Sequence, residues 1–154
     1  KHNMDIKPEQ YSEPLINANK TFIRLEDGDI DFFIKRHKLQ MERSETGLRY
    51  NIIEAGDSYL PKEKDKVNVS YTTKLITGEL IYSSKKDGNK VFEIGKTDEI
   101  NGLQEGVKLV GKGGKVLLII PSYLAYGVAG DGYMIRQRMP LIMEIELNEI
   151  IKPN

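Results

Sequence analysis

Val67-Asn-Val-Ser-Tyr71-Thr-Thr-Lys-Leu75 sets apolar Val67, Val69, Tyr71 and Leu75 against polar Asn68, Ser70 and Thr72. Successive side chains of a strand point to opposite faces, so this alternation predicts a half-buried β-strand. Leu141-Ile-Met-Glu-Ile-Glu-Leu147 repeats it, with Leu141, Met143, Ile145 and Leu147 on one face and Ile142, Glu144 and Glu146 on the other. Between them, Lys115-Val-Leu-Leu-Ile-Ile120 has the β-branched run of a well-buried strand, stopped by Pro121. Shorter strands are read at 47–56, at 80–83 after the Thr77-Gly78 turn, and at 91–95. A brief helix within 98–110 presents Ile100, Leu103 and Val107. The expected fold is α+β: a curled antiparallel sheet of five or six strands around one short helix, preceded by an N-terminal helical arm.

That arm is read in two parts. Residues 1–25 are polar, hold Pro8, Pro14 and several Asn, and show no sustained period, as expected of a flexible arm or tether. Ile30, Phe33, Ile34, His37 and Met41 then fall at i, i+3, i+4, i+7 and i+11, one stripe of a helix placed at 26–44. Asp27 or Asp29 suits its start, where an acid also complements the helix dipole. The stripe reads as a packing face, or alternatively as a surface for a partner. Residues 45–154 make the main domain.

Composition removes several classes of function. Lys and Arg total 23, as do Asp and Glu, so no basic surplus exists to neutralise phosphates, and nucleic acid is not an expected partner. Cysteine is absent and the histidines are His2 and His37, which excludes disulfides, a Cys nucleophile and Cys-rich zinc sites; no metal site is expected. No window approaches eighteen apolar residues, so no transmembrane span is expected. Gly106-Val-Lys-Leu-Val-Gly111-Lys112 matches most of a phosphate-binding loop. Gly113 stands where the Mg²⁺-ligating hydroxyl belongs, however, and the segment leads into a strand rather than joining strand to helix. Gly127, Gly130 and Gly132 open no helix and read as a loop.

What remains is an order of segments. Val67-x-Val-x-Tyr71-Thr is followed by Gly78 with Ser83-Ser84, by Phe92-x-Ile-Gly95 and by Ile100-x-Gly-Leu-x-Glu-Gly106. Ile120-Pro121-Ser-x-Leu-Ala-Tyr126-Gly127 and the closing Leu141…Glu146-Leu147 complete it. Over about residues 45–152 this resembles the FKBP-type peptidyl-prolyl cis–trans isomerases, and the Ile-Pro-x-x-x-Ala-Tyr-Gly run is its most specific part. The upstream helix and arm look similar to those of the gliding-motility-associated lipoprotein FKBPs. The resemblance implies an isomerase that assists folding of exported proteins by twisting Xaa–Pro amides in an apolar pocket. Its partners would be proline-containing polypeptides, with no cofactor. The alternative is a catalytically weak FKBP-like chaperone or proline-segment binding module in envelope assembly or gliding. A periplasmic location anchored through upstream residues, and a monomer or weak dimer through the N-terminal helix, complete the expectation.

Carried over residue by residue, the resemblance places Tyr71 and Tyr126 at the family's two tyrosine positions, with the Tyr126 hydroxyl aimed at the substrate amide. It gives the Ile100 backbone N–H a substrate carbonyl to hold, makes Ile135 an apolar wall, and makes Phe92 an aromatic of the strand before Gly95. Several residues depart from the family pattern. Ile81-Tyr82 stands where the family has Phe-Asp, Leu103 replaces a tryptophan at the pocket floor, Met143 replaces an aromatic, and Lys90 falls near an expected Phe. These residues imply a shallower bowl that lacks one carboxylate.

Overall fold

The computed structural model describes residues 13–96, 99–127, 130–132, 134–135 and 138–154, with side chains from Lys20 onward. Their elements are α1 (Glu13–Arg36), β1 (Glu42–Arg43), β2 (Arg49–Glu54), β3 (Lys66–Leu75), β4 (Leu80–Ser83), α2 (Ser84–Asp87), β5 (Lys90–Glu93), α3 (Asn101–Val107), β6 (Lys115–Ile120) and β7 (Leu141–Ile151). The described strands form one seven-stranded antiparallel sheet in the order β1-β2-β6-β7-β3-β4. Strand β5 shares the free edge of β3 with β4: Val67 faces Phe92, and farther along Thr72 faces Ser83. The α+β expectation holds, with one strand more because two-residue β1 adds to the edge.

The β3–β7 ladder is the spine, running from Lys66 opposite Ile151 to Leu75 opposite Leu141. Its register shifts once at Asn68/Val69, and β2–β6 shifts at Ile52/Glu54. Such bulges bend a strand and increase its twist, which curls the sheet around α3. The inward set is the alternating one: Val67, Val69, Val116, Leu118, Met143 and Leu147 are buried together with Leu103 and Val107 of α3. Each fully buried side chain of this size contributes about 1.5–3 kcal/mol relative to exposure. Helix α3 rests so close to β6 that a Cβ on Gly106 would lie 2.4 Å from Leu118 Cδ1, and one on Gly102 2.3 Å from Ile120 Cγ2.

The outer face is covered at one place. Ile119 points opposite to Leu118 and Ile120, yet it is fully buried, as is Ile30 of α1. Arg49, directly across from Ile119, is also buried, and its guanidinium reaches Asp31 Oδ1 at 3.0 Å and Asp27 Oδ1 at 3.5 Å on α1. Helix α1 therefore lies on the back of the sheet, with its apolar Ile30 beneath and two carboxylates clasping a buried cation. No described helix is long and apolar enough to cross a membrane.

The helix corrects the reading of the N-terminal segment. Among the described residues it spans Glu13–Arg36, so it runs unbroken through the expected boundary at residue 25 and stops short of 44. Beyond its C-terminal end Lys38 turns left-handed (φ 55°), and Leu39 N–H closes back on the Ile34 carbonyl at 3.0 Å. That closure terminates the helix and leaves His37 and Met41 outside it. The rest of the expected tether, residues 1–12, lies outside the described residues.

Candidate functional site

The concave side of the sheet holds a cavity of about 240 Å³ between β3, β7, the start of α3 and the loop after β6. Tyr71 and Thr73 on β3 and Leu141 and Met143 on β7 enter it because they share the inward face; Thr73 is paired with Met143 in register. Leu103 of α3 forms its floor. Ile100, immediately before α3, is extended (φ −65°, ψ 148°) and lines the mouth.

Gln104 is what fixes that mouth. Its Oε1 accepts the Gly95 N–H at 2.8 Å, while its Nε2 donates to the carbonyls of Lys96 and of Glu99, the latter at 2.9 Å. One buried amide thus ties the connection after β5 to the first turn of α3 and sets where Glu99 and Ile100 stand.

The opposite wall comes from the loop after β6. Pro121 ends the strand and Ser122–Leu124 make a single 3-10 turn. Gly127 takes φ +60°, a left-handed backbone that glycine adopts without penalty, so the chain reverses directly after Tyr126. Asp131 and Ile135 clasp each other, Asp131 N–H to the Ile135 carbonyl at 3.0 Å and Ile135 N–H to Asp131 Oδ1 at 2.8 Å. This brings Tyr126, Asp131 and Ile135 to the cavity.

The electrostatics are mixed. Tyr82 donates its phenol proton to Asp131 Oδ2 at 2.5 Å, and burial together with that carboxylate pushes its pKa from 10.0 up to about 12. Burial, with Glu99 and Asp131 adding repulsion, also raises the Tyr126 phenol, so it stays a proton donor at neutral pH. No partner among the described residues takes the Tyr126 hydroxyl. Lys90 places its ammonium 5.0 Å from the centre of the Tyr71 ring and 3.1 Å from Glu99 Oε2. A cation and its counter-ion thus occupy a wall where an aromatic was expected.

Of the residues named from sequence, the structure gathers Tyr71, Tyr82, Ile100, Leu103, Tyr126, Ile135 and Met143 around this one cavity. Ile81 and Phe92 do not line it; both are packed into the buried core. Alternation marks a side chain as inward but does not say whether it meets the cavity or the packed interior. Tyr82 stands where the family has an acid, yet the cavity is lined by the carboxylates of Asp87, Glu99 and Asp131, and Asp131 is held by Tyr82. Sequence reading missed Asp131, Glu99, Gln104 and Thr73: Thr73 continues the inward alternation of Val67, Val69 and Tyr71 and could have been found from it, whereas the other three are placed by hydrogen bonds and an ion pair that no local pattern marks.

Comparisons with known proteins converge. The family model for FKBP-type peptidyl-prolyl cis-trans isomerase matches residues 58–148. The FKBP-type 22 kDa peptidyl-prolyl cis-trans isomerase of Escherichia coli (strain K12) is 38% identical over 108 residues, 70% of this chain and 52% of that protein. The isomerase FkpA of the same strain is 38% identical over 111 residues, 71% of this chain and 40% of that protein. The chain therefore spans about half the length of these curated relatives. Among solved structures, FkpA from Escherichia coli superposes with a TM-score of 0.72 at 28% identity, covering 96% of this chain and 75% of the other. AtFKBP13 gives 0.64 at 27% identity, covering 71% and 98%.

Proposed function

The chain belongs to the FKBP-type peptidyl-prolyl cis-trans isomerases, and from that membership we propose that its cavity catalyses rotation about Xaa–Pro bonds in polypeptides. One observation carries the reading: a proton-donating Tyr126 with no described partner stands over a cavity floored by Leu103 and walled by Ile135 and Met143. The barrier to rotation is lost amide resonance, about 18–20 kcal/mol. A twisted amide has less charge separation than a planar one, so it loses less on leaving water for apolar walls. The cavity then binds the transition state more tightly than the ground state without any nucleophile. Accelerating an event that takes tens of seconds by four decades requires only about 5.5 kcal/mol of such preference. In this reading the Ile100 N–H fixes a substrate carbonyl, Tyr126 donates to the amide, and Tyr71 packs against the proline ring.

We place the activity in the folding of proteins within the cell envelope, on the likeness of the arm and helix to those of envelope lipoproteins; fractionation of the full-length protein tests it. A second reading has its own support. The Lys90–Glu99 pair makes one wall less apolar, as suits a module that holds a proline segment with little turnover. A protease-coupled assay on a proline peptide separates the two. Turnover above the buffer rate supports the enzyme, and binding of the peptide without turnover supports the module.

A further inference from the structure

Glu26 sits on α1, away from the cavity, and is joined to the segment that delivers Tyr126. Its Oε1 accepts the Ser122 backbone N–H and its Oε2 the Ser122 hydroxyl, both at 2.5 Å. Ser122 is buried, and its carbonyl in turn accepts the N–H groups of Ala125 at 2.9 Å and Gly127 at 2.8 Å. These are the two residues that flank Tyr126. One side chain on the back of the molecule therefore fixes the residue on which both neighbours of Tyr126 hang.

Phe22, one turn earlier on the same helical face, has its ring centre 4.1 Å from the Arg138 guanidinium carbon, and the Arg138 N–H returns to the Gly127 carbonyl at 2.7 Å. Helix α1 thus meets the loop near both of its ends, while Arg49 pins that helix to the sheet. Since no described partner holds the Tyr126 hydroxyl, its aim is set by its backbone, and the backbone is set from Glu26.

We propose that Glu26 is a positioning residue: through Ser122 it orients the Tyr126 hydroxyl, so that α1 is part of the machinery of the site and not only its support. Charged hydrogen bonds are shorter and about twice as strong as neutral ones, which suits a contact whose task is geometric. The inference rests on the isomerase reading for its kinetic test alone.

That test combines Glu26→Ala, Glu26→Gln and Tyr126→Phe with the pair Glu26→Ala/Tyr126→Phe, in the intact chain. Glu26→Ala is expected to lower kcat roughly tenfold with KM little changed, since misplacing a group by a fraction of an ångström has effects of this order. Glu26→Gln, which keeps an acceptor for the Ser122 N–H, should restore part of the loss. The pair should be no slower than Tyr126→Phe alone, because a misdirected hydroxyl and a missing one are the same defect. Additive losses, or a Glu26→Ala effect confined to melting temperature, would overturn the proposal. Amide exchange at Ala125 and Gly127 supplies a readout independent of turnover: it should accelerate in Glu26→Ala and less in Glu26→Gln. If the unmodified chain proves inactive, the isomerase reading fails while these exchange rates still decide whether Glu26 holds the loop. Unchanged exchange sinks the proposal in either case.

Discussion

Tyr126 and Tyr82 face one cavity with different tasks. Tyr126 offers a donor that no described residue takes up, so Tyr126→Phe should lower catalytic efficiency roughly five- to thirtyfold with the fold intact, the effect of about 1–2 kcal/mol in one buried hydrogen bond. Tyr82 is committed to Asp131, and its folded pKa of about 12 lies above the ordinary tyrosine value of 10.0. Between those two pH values the folded chain keeps a proton that the unfolded chain releases. Stability should therefore be unaffected by this group below pH 10 and should fall as pH climbs from 10 to 12. Phenolate absorbance followed against pH checks this: the latest-titrating tyrosine should vanish in Tyr82→Phe. At this scale the sequence was legible wherever a side chain acts alone. Tyr126, Leu103 and Met143 could be placed from motif and alternation, whereas the Tyr82–Asp131 bond joins residues 49 apart in sequence and has no local signature.

Among elements, α1 and α3 are held by opposite means. Helix α1 is clasped by charge: Arg49 is buried while its partners Asp27 and Asp31 are partly exposed. Removing the cation leaves two carboxylates that water can reach, while removing both carboxylates strands a guanidinium in the interior. Urea denaturation should therefore show Asp27→Ala/Asp31→Ala costing about 3 kcal/mol and Arg49→Met costing clearly less. Helix α3 is held by absence of bulk. Gly106→Ala gains about 0.5–1 kcal/mol in helix propensity. It also drives a methyl to within 2.4 Å of Leu118, and overpacking of that kind costs about 1–3 kcal/mol, so net destabilisation is the expected result. Strands were legible here because a period of two survives in short segments. The first turns of α1 were not, because Asn and Pro weigh against helix in propensity and the stabilising contacts, Ile30 and the two aspartates, come later in the chain.

On the scale of the whole molecule, the order of strands in the sheet is not their order in the chain. Strand β7 lies between β6 and β3, pairing with both, although residues 141–151 come after every other strand. A ribosome delivers this strand last, so while residues 1–140 emerge neither half of the sheet has its central neighbour. Until β7 is made, β3 and β6 lack the strand that joins them in the sheet. The long-range β3–β7 ladder then closes in one late step, which is slow by the measure of contact order. A chain ended at residue 140 should show no cooperative thermal transition, and adding a synthetic peptide of residues 141–154 should restore one. Independent folding of the shortened chain would show that the sheet does not depend on its last-made strand.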